Sequence, residues 1–249
     1  MKKERFNYNK IPIGYYDDIA HLKKGMRSFW HNQKFERIIS IFPPEIDSLL
    51  DIGCFSGTFL SMISENRCPR QVGTDILKSQ IDYATKLYGS PYREFRYIEG
   101  SLLSNISNEK FSFVTMIEVI EHLTSEEIKD IFNEIYKVLK PGGKLIFSTP
   151  NYMSAWPLLE LILNIFSDVK YEEQHLTKFT VFNIKRKLQQ IIPGFNNMFK
   201  IEFKTTSHFI SPYLALLSYK LATRVSGFVK SNNWKFPFGS LILVEISRI

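Results

Sequence analysis

Short apolar runs alternate with helix-length amphipathic stretches through residues 48–150, and this alternation limits the possible folds more than any other feature. Between the last two runs lies SEEIKDIFNEIYKVLK, which a Thr124–Glu127 capping box should begin and a Pro-Gly-Gly sequence should close. Such an alternation predicts an α/β domain with a doubly wound, mostly parallel sheet and right-handed crossovers. The five predicted strands are SLLDIG, QVGTDIL, FRYIEGS, FSFVTMIEVI and KLIFSTP.

Further helices are expected before this core. Residues 15–41 set aromatic and aliphatic side chains among charges, and Pro43 ends the region. We therefore expect an N-terminal helical cap over residues 1–44. Its aromatic side chains either pack on the sheet, which we favour, or close over a ligand, with Arg27 or a tyrosine donating hydrogen bonds.

After the fifth strand the chain changes character. Residues 152–176 and 211–230 are apolar and predict helical insertions, whereas FKIEFKTTSH and SLILVEISRI alternate like half-exposed strands. We expect one domain over residues 45–249, with a lid after strand 5. The insertions have three interpretations: a lid over the site, a peripheral membrane contact that places Trp156 and Tyr213 at the headgroup boundary, or dimer packing.

Composition narrows the class of protein. A chain of 249 residues with 44% apolar side chains can bury the core of one α/β domain. Its two cysteines, Cys54 and Cys68, cannot form a disulfide framework or a four-cysteine zinc site. The start, MKKERFNYNK, has no apolar run behind it, so we expect no secretory signal and a cytoplasmic location. The apolar run from Ala155 to Phe166 is shorter than the roughly 18–20 residues of a membrane-spanning helix.

Positive charge is concentrated late in the sequence. Residues 151–249 hold twelve Lys and Arg against six Asp and Glu, which is six of the seven net positive charges. This asymmetry favours an anionic partner, either nucleic acid or a membrane surface, over an even charge distribution. The alternative is a solvated, lysine-rich surface.

The stretch LLDIGCFSGTFL, residues 49–60, joins a buried strand to a glycine turn and a helix start. Gly53 and Gly57 allow close backbone approach to a ligand at the carboxyl end of the strand. Asp75 ends the second strand, where its carboxylate can accept hydrogen bonds from both hydroxyls of a ribose. Asp51 would repel a pyrophosphate but suits a cationic ligand, which argues against a nicotinamide dinucleotide. The structural alternative is that the glycines only turn the chain and Asp75 caps a helix.

Four motifs in order, LLDIGCFSG, VGTDIL, FSFVTMIEVIEHL and VLKPGGKLIFSTPN, resemble those of class I S-adenosylmethionine-dependent methyltransferases. The resemblance covers about residues 45–151. It implies a Rossmann-like seven-stranded sheet, methyltransferase activity, and S-adenosylmethionine as cofactor with S-adenosylhomocysteine as product. Phe55 stands where the family's turn has its middle glycine, which requires the Phe55 ring to point away from the ligand.

The resemblance also implies residue roles. The turn would line the methionine half of the cofactor, the carboxylate after strand 2 would hold the ribose, and the residues that follow would border the adenine. The family often has an acidic residue where Ser101 stands, so this chain departs from the family's contact to the adenine amino group. The implied cofactor-binding residues are Asp51, Gly53, Cys54, Gly57, Asp75, Ile76, Ser101, Leu102 and Glu118, with Cys54 a small buried residue rather than a nucleophile.

The sequence EVIEHL places acidic and imidazole groups at the rim where an acceptor would lie. Glu118, Glu121 and His122 follow the fourth strand, and His175 comes after the insertion. These four residues could bind a divalent metal such as Mg²⁺, Mn²⁺ or Zn²⁺. Two alternatives stay open. Either His122 and Glu121 are catalytic without a metal, or Glu121 caps the following helix and His122 is a packed loop residue.

Two subfamilies share this local pattern. The IEVIEHL, KPGGKLIFST and H…KF segments are similar to ubiquinone-biosynthesis O-methyltransferases, whereas EVIEHL and STPN resemble small-RNA 3′-terminal 2′-O-methyltransferases. The chain lacks the second histidine spacing expected of the RNA group. We therefore expect O-methylation of a small, lipid-like or sugar-containing acceptor. An RNA 2′-O-methyltransferase and a non-catalytic cofactor-binding protein are the alternatives, and the oligomeric state is left open.

Overall fold

A seven-stranded sheet forms the centre of the described part of the chain, which comprises residues 7–100, 103, 108–158, 160–161, 175–229 and 237–249 of a computed structural model. The strand order is β3-β2-β1-β4-β5-β7-β6. All neighbouring pairs are parallel except β5–β7 and β6–β7, which are antiparallel. The strands are β1 Leu49–Ile52, β2 Gln71–Asp75, β3 Arg93–Tyr97, β4 Phe111–Ile117, β5 Leu139–Pro150, β6 Phe199–Ser207 and β7 Leu241–Arg248. The predicted α/β class and mostly parallel sheet are confirmed.

Helices cover both faces of this sheet, as parallel strands buried on two sides require. The capping box at Thr124 is formed as predicted: its hydroxyl accepts from the Glu127 backbone N–H, and the Glu127 carboxylate accepts from the Thr124 backbone N–H. The helices are α1 Tyr15–Leu22, α2 Gly25–Ile39, α3 Thr58–Ser61, α4 Lys78–Tyr88, α5 Ser125–Val138, α6 Ile184–Ile191, α7 Phe195–Met198, α8 Ser211–Leu214 and α9 Tyr219–Val229.

Alternate residues of each strand serve the two cores. Leu50 and Val114 belong to a cluster with α5, α6 and α7 on one face, and Leu49 belongs to a cluster with α2, α3 and α4 on the other. Since β1 pairs with both β2 and β4, the strand order reverses at β1. The carboxyl ends of these three strands therefore border the crevice where such sheets bind ligands.

Helix α1 is attached to the helices on one face of the sheet through a buried carboxylate. Asp17 of α1 accepts hydrogen bonds from the hydroxyls of Thr58 at 2.6 Å, Tyr83 at 3.0 Å and Tyr88 at 2.8 Å. A buried carboxylate is costly unless it is hydrogen-bonded, and these donors meet that requirement. Helix α1 is therefore fixed to both α3 and α4.

Three elements differ from the sequence-based expectation. The helix after the glycine turn is a single turn, Thr58–Ser61. The strand after α5 begins at Leu139, before the Pro-Gly-Gly sequence. The helix expected between β6 and β7 is two helices, because residues 215–218 form a turn between α8 and α9.

Most of the predicted lid lies outside the described residues. Residues 156–158, 160 and 161 are helical, but residues 159 and 162–174 are not described. The lid therefore stays a prediction. None of the described helices has both the length and the apolar character needed to cross a bilayer.

Candidate active site

A cavity of about 550 Å³ opens at the carboxyl ends of β1, β2 and β4. Its size is in the range of small-molecule and cofactor sites. Residues of the N-terminal cap form one wall, and the segment from Ile117 to Leu123 forms another. The cap side chains Tyr16, Arg27, Trp30 and His31 border this cavity, and Arg27 donates a hydrogen bond to the Tyr15 hydroxyl at 2.8 Å. The expectation that the cap only packs on the sheet is therefore incomplete.

The two glycines of the first turn occupy backbone conformations that favour glycine. Gly53 has a φ of +75°, and a Cβ there would lie 2.4 Å from Cγ2 of Val119. Gly57 has a φ of +78°, and a Cβ there would lie 2.7 Å from the Phe95 ring. Left-handed conformation and crowding together explain why this turn needs glycine at both positions.

Phe55 adopts the left-handed conformation that the missing glycine would have taken, with a φ of +48°. Its ring packs edge-on against Tyr16, with 5.0 Å between centroids, and its backbone N–H donates to Oδ2 of Asp75 at 2.9 Å. A non-glycine residue in this region costs about 1–3 kcal/mol. The turn keeps its backbone shape because the ring contact with the cap and this hydrogen bond hold Phe55 in place.

Asp75 is fixed at the end of β2 by the backbone. Its Oδ1 accepts from the Leu77 N–H at 2.9 Å, and its Oδ2 accepts from Phe55. Burial raises its pKa, although these N–H donors favour the charged form. Ile76, which follows, is 49% exposed and borders the cavity, so it offers an apolar surface for a flat ring.

Asp51 and Cys54 lie buried at the floor of the turn. Asp51 accepts a hydrogen bond from the Thr115 hydroxyl at 2.7 Å, yet burial raises its pKa to about 7. Burial likewise raises the pKa of the Cys54 thiol well above its usual range. Cys54 is thus an uncharged, buried residue, consistent with the sequence interpretation.

Glu118 begins the loop after β4 with a φ of +53°. Its carboxylate binds the Lys34 ammonium and accepts from the Trp30 indole N–H at 3.0 Å. Burial is the largest single effect and opposes ionisation, but Lys34, His31 and the Trp30 hydrogen bond together outweigh it and lower the pKa of Glu118 to about 2. Sequence reasoning missed Lys34. The available signal was a lysine four residues from both Trp30 and Ile38, which places it on the same side of α2 as these two apolar side chains.

Glu121, His122 and His175 form a compact group on the other side of the cavity. One possible ligand atom from each lies within 4.8 Å of the others. The three converge because the backbone N–H groups of Leu176 and Thr177 donate to the Glu121 carbonyl at 2.8 and 3.0 Å. Glu118, the fourth predicted metal ligand, is not part of this group.

The Glu121 side chain is buried, and its Oε2 has no hydrogen-bond partner among the described residues. Burial, and then the nearby Glu118 charge, raise its pKa well above the usual range. The helix that follows is capped by Thr124 and Glu127, so the structure assigns no capping role to Glu121. A buried polar atom without a partner is uncommon in folded proteins, and together with the raised pKa it makes Glu121 a candidate functional group.

Tyr152 and Glu160 orient the His175 ring by contacting its Nδ1. Its Nδ1 lies 2.7 Å from the Tyr152 hydroxyl and 3.0 Å from Oε1 of Glu160. Metal-binding and catalytic imidazoles commonly use one nitrogen for such a partner and keep the other for the ligand. His122 lies beside it, with 5.1 Å between the ring centroids.

The predicted cofactor and metal residues thus fall into two groups on one cavity. Asp51, Gly53, Cys54, Asp75, Ile76 and Glu118 line it, as do Glu121, His122 and His175, whereas Gly57 supports the turn from behind. Ser101 and Leu102 lie outside the described residues.

Comparison with known proteins identifies the family. A family profile described as "Methyltransferase domain" matches residues 23–197. The chain belongs to the class I S-adenosylmethionine-dependent methyltransferases. The family and the cofactor expected from the sequence are confirmed.

Curated methyltransferases match parts of this chain. A ubiquinone biosynthesis O-methyltransferase from Pseudomonas putida (strain KT2440) is 30% identical over 159 residues, covering 58% of this chain and 65% of that protein. A sphingolipid C9-methyltransferase 1 from Gibberella zeae is 25% identical over 125 residues, covering 49% of this chain and 24% of that protein. In each case the alignment spans less than two thirds of the relative's length.

Solved structures share the fold. The PH0226 protein from Pyrococcus horikoshii OT3 superposes with a TM-score of 0.63 at 18% identity, covering 98% of this chain and all of that one. A geranyl diphosphate C-methyltransferase from Streptomyces coelicolor, solved with Mg²⁺, geranyl diphosphate and S-adenosyl-L-homocysteine, superposes with a TM-score of 0.59 at 16% identity, covering 95% and 82% of the two chains.

Proposed function

We propose that this methyltransferase transfers the methyl group of S-adenosylmethionine to an oxygen atom of a small acceptor with an apolar portion. The observation that carries this proposal is the buried Glu121 carboxyl, whose Oε2 has no hydrogen-bond partner among the described residues and which lies beside two histidines. Oxygen nucleophiles need a base or a cation to become reactive, and this group can supply either.

The cofactor fits the half of the cavity formed by β1 and β2. Gly53 lines this part of the cavity, Asp75 is held in place for the ribose hydroxyls, and Ile76 offers an apolar surface for the adenine. When bound, S-adenosylmethionine supplies an electrophilic methyl group on a sulfonium. Asp51, with its carboxylate at the same turn, stabilises positive charge there once it is ionised. Lys34, paired with Glu118 at this cavity, is the nearby cation suited to the amino-acid carboxylate.

The donor atoms of Glu121, His122 and His175 suit a divalent cation. Carboxylate and imidazole ligands suit Mn²⁺ and Zn²⁺, and the buried Glu121 needs a positive charge or a proton in order to be stable. These three residues would hold the ion, which would polarise the acceptor oxygen. Without a metal, His122 or His175 accepts the acceptor's proton, and Tyr152 and Glu160 orient the His175 ring.

An apolar acceptor is favoured by the walls of the cavity. Met26, Leu123, Ile131 and Trp156 border it. The curated relatives named for ubiquinone biosynthesis and for a sphingolipid support the same choice, because both names refer to lipids.

The test uses the purified chain in two steps. Calorimetry should first detect S-adenosylmethionine binding. Turnover to S-adenosylhomocysteine is then measured with alkyl-substituted catechols, with sugar hydroxyls, and with single-stranded RNA. We expect turnover with the alkyl catechols. Turnover with RNA alone would favour the RNA methyltransferase, and cofactor binding without any turnover would favour a non-catalytic binding protein.

Metal dependence is measured separately. If the Glu121 group holds a cation, excess chelator should abolish turnover without reducing cofactor binding, and Mn²⁺ or Zn²⁺ should restore it. Full turnover in chelator would exclude the metal and leave the histidine base. His122→Ala should reduce turnover in either mechanism.

A further inference from the structure

The helix pair α8–α9 is attached to the N-terminal cap by its inner face. Tyr219 packs edge-on against Phe29 of α2, with 5.4 Å between ring centroids. The Ser211 hydroxyl donates to Gln33 at 3.1 Å, and Ser226 also binds Gln33. These contacts fix which side of α9 faces outward.

The outer face carries leucines that the fold leaves uncovered. Leu216 and Leu217, in the turn between the two helices, are 65% and 84% exposed. Leu221, one turn into α9, is 45% exposed. Single exposed apolar residues are ordinary, but three within six residues form a patch.

Two cations stand beside these leucines. Lys220 and Arg224 are exposed, and neither forms a salt bridge with any residue that the structure describes. They are four residues apart on one helix, where like charges destabilise the helix slightly. The sequence offers no local compensation, because residues 203–244 contain five Lys or Arg and no Asp or Glu.

We propose that the outer face of α8–α9, defined as Leu216, Leu217, Lys220, Leu221 and Arg224, binds the surface of an anionic lipid bilayer. The combination of cations and leucines on one surface indicates the kind of partner that it binds. Lipid headgroups offer phosphates for the two cations, and the boundary of the acyl chains accepts the leucines. A nucleic acid would satisfy the cations but leave the leucines in water. This surface is separate from the methyl-transfer site, so its function does not depend on the proposed reaction.

Vesicle co-sedimentation of the full chain tests this surface. We expect binding to vesicles of phosphatidylcholine with phosphatidylglycerol, weaker binding at high salt, and little binding to phosphatidylcholine alone. The double variant Lys220→Gln/Arg224→Gln should weaken partitioning roughly 25-fold, since each cation near an anionic surface contributes about fivefold. Leu216→Ser/Leu217→Ser should weaken it by at least about tenfold.

A matched control is available on α4, where Lys86 and Leu87 are also exposed neighbours. Lys86→Gln/Leu87→Ser should bind vesicles like the unaltered chain. Thermal melting of all variants establishes that they fold, because only surface side chains change.

Three results would overturn the proposal: no sedimentation of the unaltered chain, equal sedimentation with neutral and anionic vesicles, or equal loss in the α4 control. Two further measurements, light scattering and RNA binding, would assign the surface to a different partner. A dimer that dissociates in Leu216→Ser/Leu217→Ser would assign the surface to a second copy of the chain. Single-stranded RNA that binds the unaltered chain but not the cation variant would assign it to nucleic acid.

Discussion

The two ends of the cavity differ in how completely their polar groups are partnered. At the β1–β2 end, each Asp75 oxygen accepts from a backbone N–H and Asp51 accepts from Thr115. At the other end, Oε2 of Glu121 has no partner among the described residues, and the imidazoles of His122 and His175 lie beside it. The first end is complete as it stands, whereas the second requires a further group.

The two ends of the cavity therefore differ in their effect on the stability of the folded state. A carboxylate held by backbone donors costs little once the turn has formed, because the donors come with the strand ends. A buried carboxyl without a partner destabilises the folded state, and active sites commonly hold such groups for chemistry. We therefore expect substitutions at the first end to weaken cofactor binding, and substitutions at the second to reduce turnover while sparing stability.

The sharpest contrast is expected at Glu121. Glu121→Gln keeps the shape of the side chain, but the amide can neither ionise to bind a cation nor accept a proton, so turnover should fall about 100-fold or more. The melting temperature should stay the same or rise, because the amide never places a charge in this buried position. Steady-state kinetics and melting curves measure both. Glu126→Gln, on the exposed first turn of α5, is the control, and a lower melting temperature for Glu121→Gln would contradict the comparison.

Asp75→Ala, at the β1–β2 end of the cavity, should weaken binding of the cofactor. Loss of the hydrogen bonds that the charged Asp75 carboxylate would accept from two ribose hydroxyls should weaken S-adenosylmethionine binding roughly 100-fold. Calorimetry provides the measurement, with Asp82→Ala as control, since Asp82 pairs with Lys78 at the surface. An affinity within about threefold of the unaltered chain would show that Asp75 does not hold the ribose.

The cost in stability of steric crowding at Gly53 can be measured separately from the cost of its left-handed backbone conformation. Gly53 and Gly142 have nearly equal φ angles of +75° and +73°, but a Cβ at Gly142 would meet nothing within 4 Å. Both alanine variants should lose about 1 kcal/mol or more to backbone strain. Gly53→Ala should lose about 2 kcal/mol beyond that from the collision with Val119. Urea unfolding measures the difference, and equal losses would show that the turn has room to adjust.

The smallest expected effect is a pH dependence at the cofactor end. Because the pKa of Asp51 is about 7, the carboxyl is mostly protonated at pH 6 and mostly ionised at pH 8. Affinity for the cationic cofactor should therefore rise up to about tenfold between these values. The apo-protein should become less stable over the range from about pH 4 to 7, since this folded-state pKa lies above the unfolded value of about 4. Calorimetry at both pH values tests the affinity, and Asp51→Asn should remove the rise.

The sequence predicted the first end well because its determinants are local. Gly53, Asp51 and Asp75 lie on two consecutive strands, and their spacing alone places them at one edge of a parallel sheet. The capping box at Thr124 was predictable for the same reason. Phe55 was predicted as a departure from the glycine of the family's turn. It adopts a positive φ, which is unfavourable for a residue with a side chain.

The second end was predicted only in part because its determinants are distant. Glu121, His122 and His175 were identified by residue type, but no local motif indicated that Lys34 would bind Glu118, which is not part of this group. The contact spans 84 residues and depends on how α2 crosses the sheet. Likewise, the orientation of His175 by Tyr152 and Glu160 depends on tertiary packing rather than on a local motif.

The buried carboxylate of Asp17 has a practical consequence. Because α1 is joined to α3 and α4 by hydrogen bonds, and because Asn7, Tyr8, Ile11 and Tyr16 border the cavity, the segment from residue 7 to 18 forms one side of that cavity. Deleting this segment from recombinant protein would remove that side and leave the cavity open to solvent.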